Sequence, residues 1–432
     1  MSKVLKILLA TILIPAVIST GVANAKPVVG FQAGHIIDDL VFINKNSMNV
    51  DQIQAFLSSK VPVCDNWGTN GSTSTSRRDF VLSHGYTLPM TCLKDYTENG
   101  LSSAQIIYNA SQTYNINPQV LIVLLQKEQG LVTDDWPTDN QYRAATGYGC
   151  PDTAPCDSQY YGLTNQINWA AHMFRAIFNS SPTWYTPYIL GNNYIQYTTN
   201  ASCGGTVVYI ENKATQSLYN YTPYQPNQSA LNAGYGAGDS CSSHGNRNFY
   251  QYFVDWFGST RFIQDPNNNV VLSGDFNSDS NTEIATFYAY NSNTAMIIDR
   301  HVTNSSNILS VPEISWTSRS GDWESSRTKL VSGDFNADGK TDIAALYDYG
   351  NGQIGWWIFY GTVDGLASPV KVYETNPSNW ESSRTKLVSG DFNADGKTDI
   401  AALYDYGNGQ IGWWIFYGTV DGLAPPTALT TY

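Results

Sequence analysis

One feature constrains this 432-residue chain before any other: residues Trp323 to Ala367 recur, residue for residue, as Trp380 to Ala424, 57 positions further on. A diverged copy begins near Val270, with 59 positions between the first and second Gly-Asp-Phe-Asn. A single packing solution must therefore serve more than once, and units of this kind bury their faces against their neighbours. Inside each unit, Lys329 to Asp334, Asp342 to Tyr347 and Gly355 to Tyr360 are β-branched and aromatic runs parted by Gly, Asn and Asp turns. That pattern predicts one small antiparallel sheet per copy. The expectation for 263–432 is an all-β, propeller-like region of three blades, fewer than the roughly four to eight that close a propeller. Residues Phe262 to Asn269, where the composition changes, read as the linker before it.

The same units carry a metal-binding pattern. Asp334, Asn336, Asp338 and Asp342 stand at positions 1, 3, 5 and 9 of a loop, with Gly339 at the sharp turn and Lys340 able to offer only its carbonyl. This is the front half of an oxygen-donor calcium loop, without the helices and the position-12 Glu of an EF-hand. It recurs at Asp391, Asn393, Asp395, Lys397 and Asp399, and more loosely at Asp275, Asn277, Asp279 and Glu283, where Ser280 replaces the glycine. With Gly-Asp-Phe-Asn before the loop and Ile-Ala after it, the unit resembles FG-GAP or VCBS repeats. The resemblance implies calcium as the cofactor and as the staple of this half.

No cysteine falls in that half. The six fall as local couples, Cys64 with Cys92, Cys150 with Cys156, and Cys203 with Cys241, and nearest-neighbour disulfides are expected from a chain in an oxidising compartment. Lys3 and Lys6, the apolar run Ile7 to Val17 and Ala23-Asn24-Ala25 have the three parts of a secretory signal over 1–25. The expected mature protein is secreted or at the cell surface, with no transmembrane segment. Cleavage after Ala25 would make the chain two charges more acidic than its formal −13, which argues against nucleic acid as a partner.

Residues 26–100 read as an N-terminal helical segment of unassigned role, and 101–262 as an all-α domain. Asn49 with Gln52 and Ser102 with Gln105 have capping-box spacing, and Asn117-Pro118 pairs a cap with a favoured first-turn residue. Helices are thus predicted to start near 50, 103 and 118. A fourth follows from the 3.6-residue spacing of Ile167, Ala170, Ala171, Phe174, Ile177 and Phe178. The third runs Val120 to Gly130, apolar nearly all round, with Glu128 on the stripe of Leu121, Leu124 and Leu125. A carboxyl at the end of such a stripe is partly desolvated and suited to general acid work on a glycosidic bond. The plainer alternative is a helix that ends at Gly130 and releases Glu128 into water.

Ile116-Asn117-Pro118-Gln119, the apolar helix and Gln126-Lys127-Glu128-Gln129 together resemble the catalytic helix of lysozyme-like lytic transglycosylases. Gly147-Tyr148-Gly149 is similar to that family's glycine-containing substrate loop. The resemblance spans about residues 100 to 180 and implies Glu128 as the catalytic acid. Gln129 stands where the family commonly has Ser, and no Gly-Leu-Met-Gln follows. Tyr148, Tyr160 and Tyr161, beside the Cys150/Cys156 couple, are the candidate sugar-stacking residues. Two functions stay open. One is a peptidoglycan-cleaving glycosidase or lytic transglycosylase carried by a calcium-stapled adhesion module. The other is a non-catalytic adhesin that binds surface glycan, or a surface protein through the repeats.

Overall fold

The computed structural model describes residues 27–429, apart from 66–75, 87–89, 151–154, 181–186, 263–269, 290–294, 304–307, 310–312 and 319–321. The expected signal sequence and linker lie outside the described residues.

The longer helices of the N-terminal region are α1 (Val50–Lys60), α2 (Ser103–Tyr114), α3 (Pro118–Gln129), α4 (Leu163–Phe178), α5 (Lys213–Tyr221) and α6 (Gly245–Phe257). The starts follow cap chemistry. Asn49 and Gln52 form a reciprocal capping box, Ser102 accepts from the Gln105 N–H, and the Asn117 side chain accepts from Gln119 N–H ahead of Pro118. Helix α3 packs on α2 and α6, and α4 on α2 and α5. Every residue from Val120 to Leu125 is buried, so α3 is the central rod of the domain.

Two expectations change here. The region is not all-α: β1 (Gly191–Gln196) and β2 (Gly205–Ile210) pair antiparallel from Gly191↔Ile210 to Gln196↔Gly205. Ile195, Val208 and Ile210 enter the core while Tyr194, Val207 and Tyr209 face out, which is the period of two of a half-buried strand. The boundary expected at residue 100 also falls inside one core, in which Ile36, Phe42, Ile53 and Leu57 join Ile107, Leu124, Phe174 and Phe253. Asp38 closes this domain by accepting from the Phe262 N–H and pairing with Arg261.

The C-terminal region is three antiparallel sheets. The first contains β3 (Val270–Gly274), β4 (Glu283–Ala289), β5 (Ala295–Thr303) and β6 (Glu313–Thr317), with Ile308–Leu309 also on β5. The second is β7 (Thr328–Gly333), β8 (Asp342–Gly350), β9 (Gln353–Phe359) and β10 (Val370–Glu374), in that order. The third is β11 (Thr385–Gly390), β12 (Asp399–Gly407), β13 (Gln410–Phe416) and β14 (Thr427–Leu429). The sheets pack face to face in sequence, through Phe276, Phe287, Trp323 and Phe359 at the first contact and Phe335, Trp356, Trp380 and Phe416 at the second. The expected small antiparallel sheet per copy is therefore present, of five strands in the first and four in the other two, and no closed propeller is seen among the described residues.

Candidate functional site

Glu128 sits in the last turn of α3, which the left-handed Gly130 terminates at φ +70°. The helix does end where the plainer reading has it, yet the Glu128 side chain is only 25% exposed. One reason is Gly147, whose missing side chain would point at Glu128: a Cβ there would lie 3.6 Å from Oε2. The other is Lys127, which donates to Glu128 Oε1 and, at 2.8 Å, to Thr222 Oγ1. The Lys127 side chain is 2% exposed and its ammonium stands over the Tyr221 ring. The carboxyl group thus enters an ion pair, not the apolar isolation that periodicity predicts, because residue 127 turns into the same crevice. Burial, and next the charge of Glu128, push the Tyr221 hydroxyl well above its ordinary pKa, so it stays a donor, to the Thr146 carbonyl at 2.7 Å.

Beside Gly147 the chain places an aromatic wall. Tyr148 stacks on Trp169, and Tyr160 stands edge-on to both, with centroids 4.9 to 5.8 Å apart. Gln166 fixes this arrangement: its amide donates to the Tyr148 and Tyr160 carbonyls and its oxygen accepts from the Tyr148 N–H. Half-buried aromatic faces near a carboxylate can stack on a sugar ring and orient it. Tyr161 does not join them. Its hydroxyl donates to the Cys156 carbonyl and Arg143 covers its ring. Sequence reasoning missed Lys127, Trp169 and Tyr221. Lys127 is off the apolar stripe by one residue, and Trp169 is off the core period of α4, so neither carried a local signal.

All three expected disulfides are present, Cys64–Cys92, Cys150–Cys156 and Cys203–Cys241. The acidic loops differ in a way the sequence ranking did not anticipate. The carboxylates of Asp275, Asp279 and Glu283 converge, with one oxygen of each within 4.8 Å of the others, and Asn277 stands between the two aspartates in sequence. Three oxygen donors so close fit a hard divalent cation. In the second loop, Lys340 pairs with Asp338 at 3.0 Å, and in the third Lys397 pairs with Asp395 at 3.4 Å. The backbone frame is common to all three loops: Asp334 accepts from the Asp338 and Gly339 N–H groups as Asp275 does from those of Asp279 and Ser280, so the lysine pairs are what distinguish the later two. Asp342 is fully buried and accepts from Phe335 N–H at 3.0 Å and Gly361 N–H at 2.8 Å, and burial pushes its carboxyl up to about 7. The diverged loop, read as the loosest, is the one whose carboxylates gather. Asn281 stands where the later loops have lysine.

Fold and site together define a two-part protein: a disulfide-bonded helical domain with a carboxylate crevice beside an aromatic wall, followed by stacked β repeats. The chain belongs to the family described as LasA, N-terminal domain, which it matches over residues 35–267, more than half its length. Residues 334–402 match an FG-GAP-like repeat. No curated protein matches the chain. The family match is to the N-terminal domain of LasA and not to lysozyme-like transglycosylases. No helix among the described residues is long and apolar enough to cross a membrane.

Proposed function

We propose that this is an exported protein that cleaves the glycan strands of peptidoglycan, with Glu128 as the proton-transferring group and the repeats as a calcium-bound adhesion module. The observation that carries the reading is the placement of Glu128: rigid at the end of a buried helix, part-exposed, and next to Gly147 and the Tyr148–Tyr160–Trp169 wall. A sugar stacked on that wall would bring a glycosidic oxygen toward the carboxyl group. Glu128 would protonate the leaving oxygen, then withdraw a proton from the attacking hydroxyl, either water or a hydroxyl of the sugar itself. Lys127 would leave Glu128 and stay with Thr222 while the carboxyl is protonated, and restore the pair afterwards. Asp275, Asp279 and Glu283 would hold calcium, and the later loops would use the same positions once Lys340 and Lys397 swing out.

The Lys127–Glu128 pair also favours a second reading, a glycan-binding domain without turnover, because a compensated carboxylate is a good hydrogen-bond acceptor for sugar hydroxyls. The test is release of soluble fragments from purified peptidoglycan by the full chain and by Glu128→Gln. A drop of about 10²–10⁴ in the variant supports the glycosidase, and fragment masses report whether glycan or peptide bonds are cut. Binding without release by either protein supports the binder.

A further inference from the structure

The helical region and the first sheet meet in a packed joint. Ile314 of β6, 7% exposed, belongs to the helical core, and the Thr317 hydroxyl donates to Asn44 Oδ1 at 3.4 Å. Beside this joint lies a cavity of about 260 Å³, walled by Lys45, Asn115 and Arg175 from the helical side and by Glu313 and Asp364 from the repeats. It is room for a small molecule at a boundary between two parts of the chain, where ligand sites are commonly built.

The charges of this cavity are sorted by wall. Lys45 and Arg175 are half-buried cations, and among the described residues neither makes an ion pair. Arg175 donates through Nε to the Tyr114 carbonyl and through Nη2 to the Asn115 carbonyl, both at 2.7 Å, which leaves Nη1 unused. The Lys45 ammonium has no hydrogen-bond partner among the described residues. Burial holds both cations below their ordinary pKa; for Lys45, Glu313 opposes this, Arg175 adds to it and Asp364 opposes it. Two like charges that share a partly dry wall with no anion between them cost folding free energy. Across the cavity, Glu313 and Asp364 are exposed and form no ion pair among the described residues either. One more acceptor, Asn115 Oδ1, is buried at the same cavity without a partner.

The wall from the helical region therefore lacks an acceptor, and the wall from the repeats lacks a donor. A carboxylate satisfies the first through Lys45 and the Nη1 of Arg175. An ammonium satisfies the second through Glu313 and Asp364, with Asn115 Oδ1 as a further acceptor. We infer that this cavity binds a small zwitterion, an α-amino acid or a dipeptide with free ends, and that the bound molecule ties the helical region to the repeats. A plain anion meets like charge on Glu313 and Asp364, and a plain cation meets it on Lys45 and Arg175. The repeats supply an internal comparison, since Asp421 is the twin of Asp364 in an identical segment and does not line this cavity. The site uses no residue of the Glu128 crevice, so it stands whether or not that crevice cleaves glycan.

The experiment is isothermal titration calorimetry of the full chain with alanine, alanyl-alanine, propionate and ethylamine, read beside melting curves. One of the two zwitterions is expected to bind more than about ten-fold tighter than propionate or ethylamine, and which one reports the span between the walls. Its binding should weaken more than about ten-fold in Lys45→Gln and in Glu313→Gln, and stay unchanged in Asp421→Asn. Without ligand, Lys45→Gln should melt no lower than the parent, because the ammonium it loses makes no bond and is costly to bury. A clear fall would show a structural cation and overturn the site. So would the absence of heat from both zwitterions, propionate binding as tightly as the better of them, or binding that survives both wall variants.

Discussion

Asn117 shows how much one side chain can carry in this domain. Its oxygen accepts from the Gln119 N–H and from Ser47, and its amide donates to the Val41 carbonyl, tying the start of α3 to residues 41–47. Asn117→Ala removes a helix cap and leaves buried groups without partners, and is expected to cost about 2–4 kcal/mol in urea unfolding. A cost below about 0.5 kcal/mol would mean that water replaces those bonds. Asp39 makes a different case. Burial raises its pKa more than the N–H groups of Ala214 and Lys213 lower it. Below the ordinary carboxylate range both folded and unfolded states hold the proton, and the group contributes nothing. As pH rises, the unfolded state ionises first, so the carboxyl increasingly disfavours folding. Asp39→Asn should therefore gain melting temperature over the parent from pH 4 to pH 7, and a pH-independent difference would refute this reading. The cap at Asn117 is legible from four letters of sequence. The ion pair at Glu128 is not, because Thr222, Tyr221 and Gly147 come to Lys127 and Glu128 from distant positions.

At the scale of the element, helix starts were readable wherever a cap residue advertises itself locally, and α1, α2 and α3 begin where cap spacing puts them. The hairpin β1–β2 and helix α5 lie in a Tyr-rich stretch; α5 starts at the cap Asn212, which accepts from the Thr215 N–H but lacks the Glu or Gln that marks a capping box, and α6 follows His244, whose side chain makes no cap bond. Even so, Phe249, Phe253 and Phe257 on α6 hold a four-residue spacing that could have been read. The acidic loops were recognised as a motif, but their ranking depended on side-chain geometry. Calcium titration followed by calorimetry should give its tightest site to the first loop and lose it in Asp279→Asn. Lys340→Ala together with Lys397→Ala should strengthen the remaining sites, since the ammonium groups that hold Asp338 and Asp395 are gone. Equal affinity in all three loops, unmoved by these changes, would discard the geometric argument.

Across the whole molecule, the two halves are held by different chemistry. All three disulfides lie between Cys64 and Cys241, so reduction should lower the unfolding transition of the helical domain, by about 2–5 kcal/mol per bridge, and leave that of the repeats in place. Two transitions that fall together would show that the halves unfold as one. Identical residues also differ with position. Trp356→Ala should cost about 3–5 kcal/mol, and Trp413→Ala much less, because only the first is sealed by a following sheet. The chain's two-part plan, its repeat unit, its disulfide pairing and the rod-like α3 were determined by local spacing, composition and periodicity, which act over a few residues. Which carboxylates converge, where Lys127 points, and which copy of an identical face is covered were decided only by tertiary structure. Those outcomes depend on what long-range packing brings alongside, and two identical sequences with different neighbours necessarily differ in them.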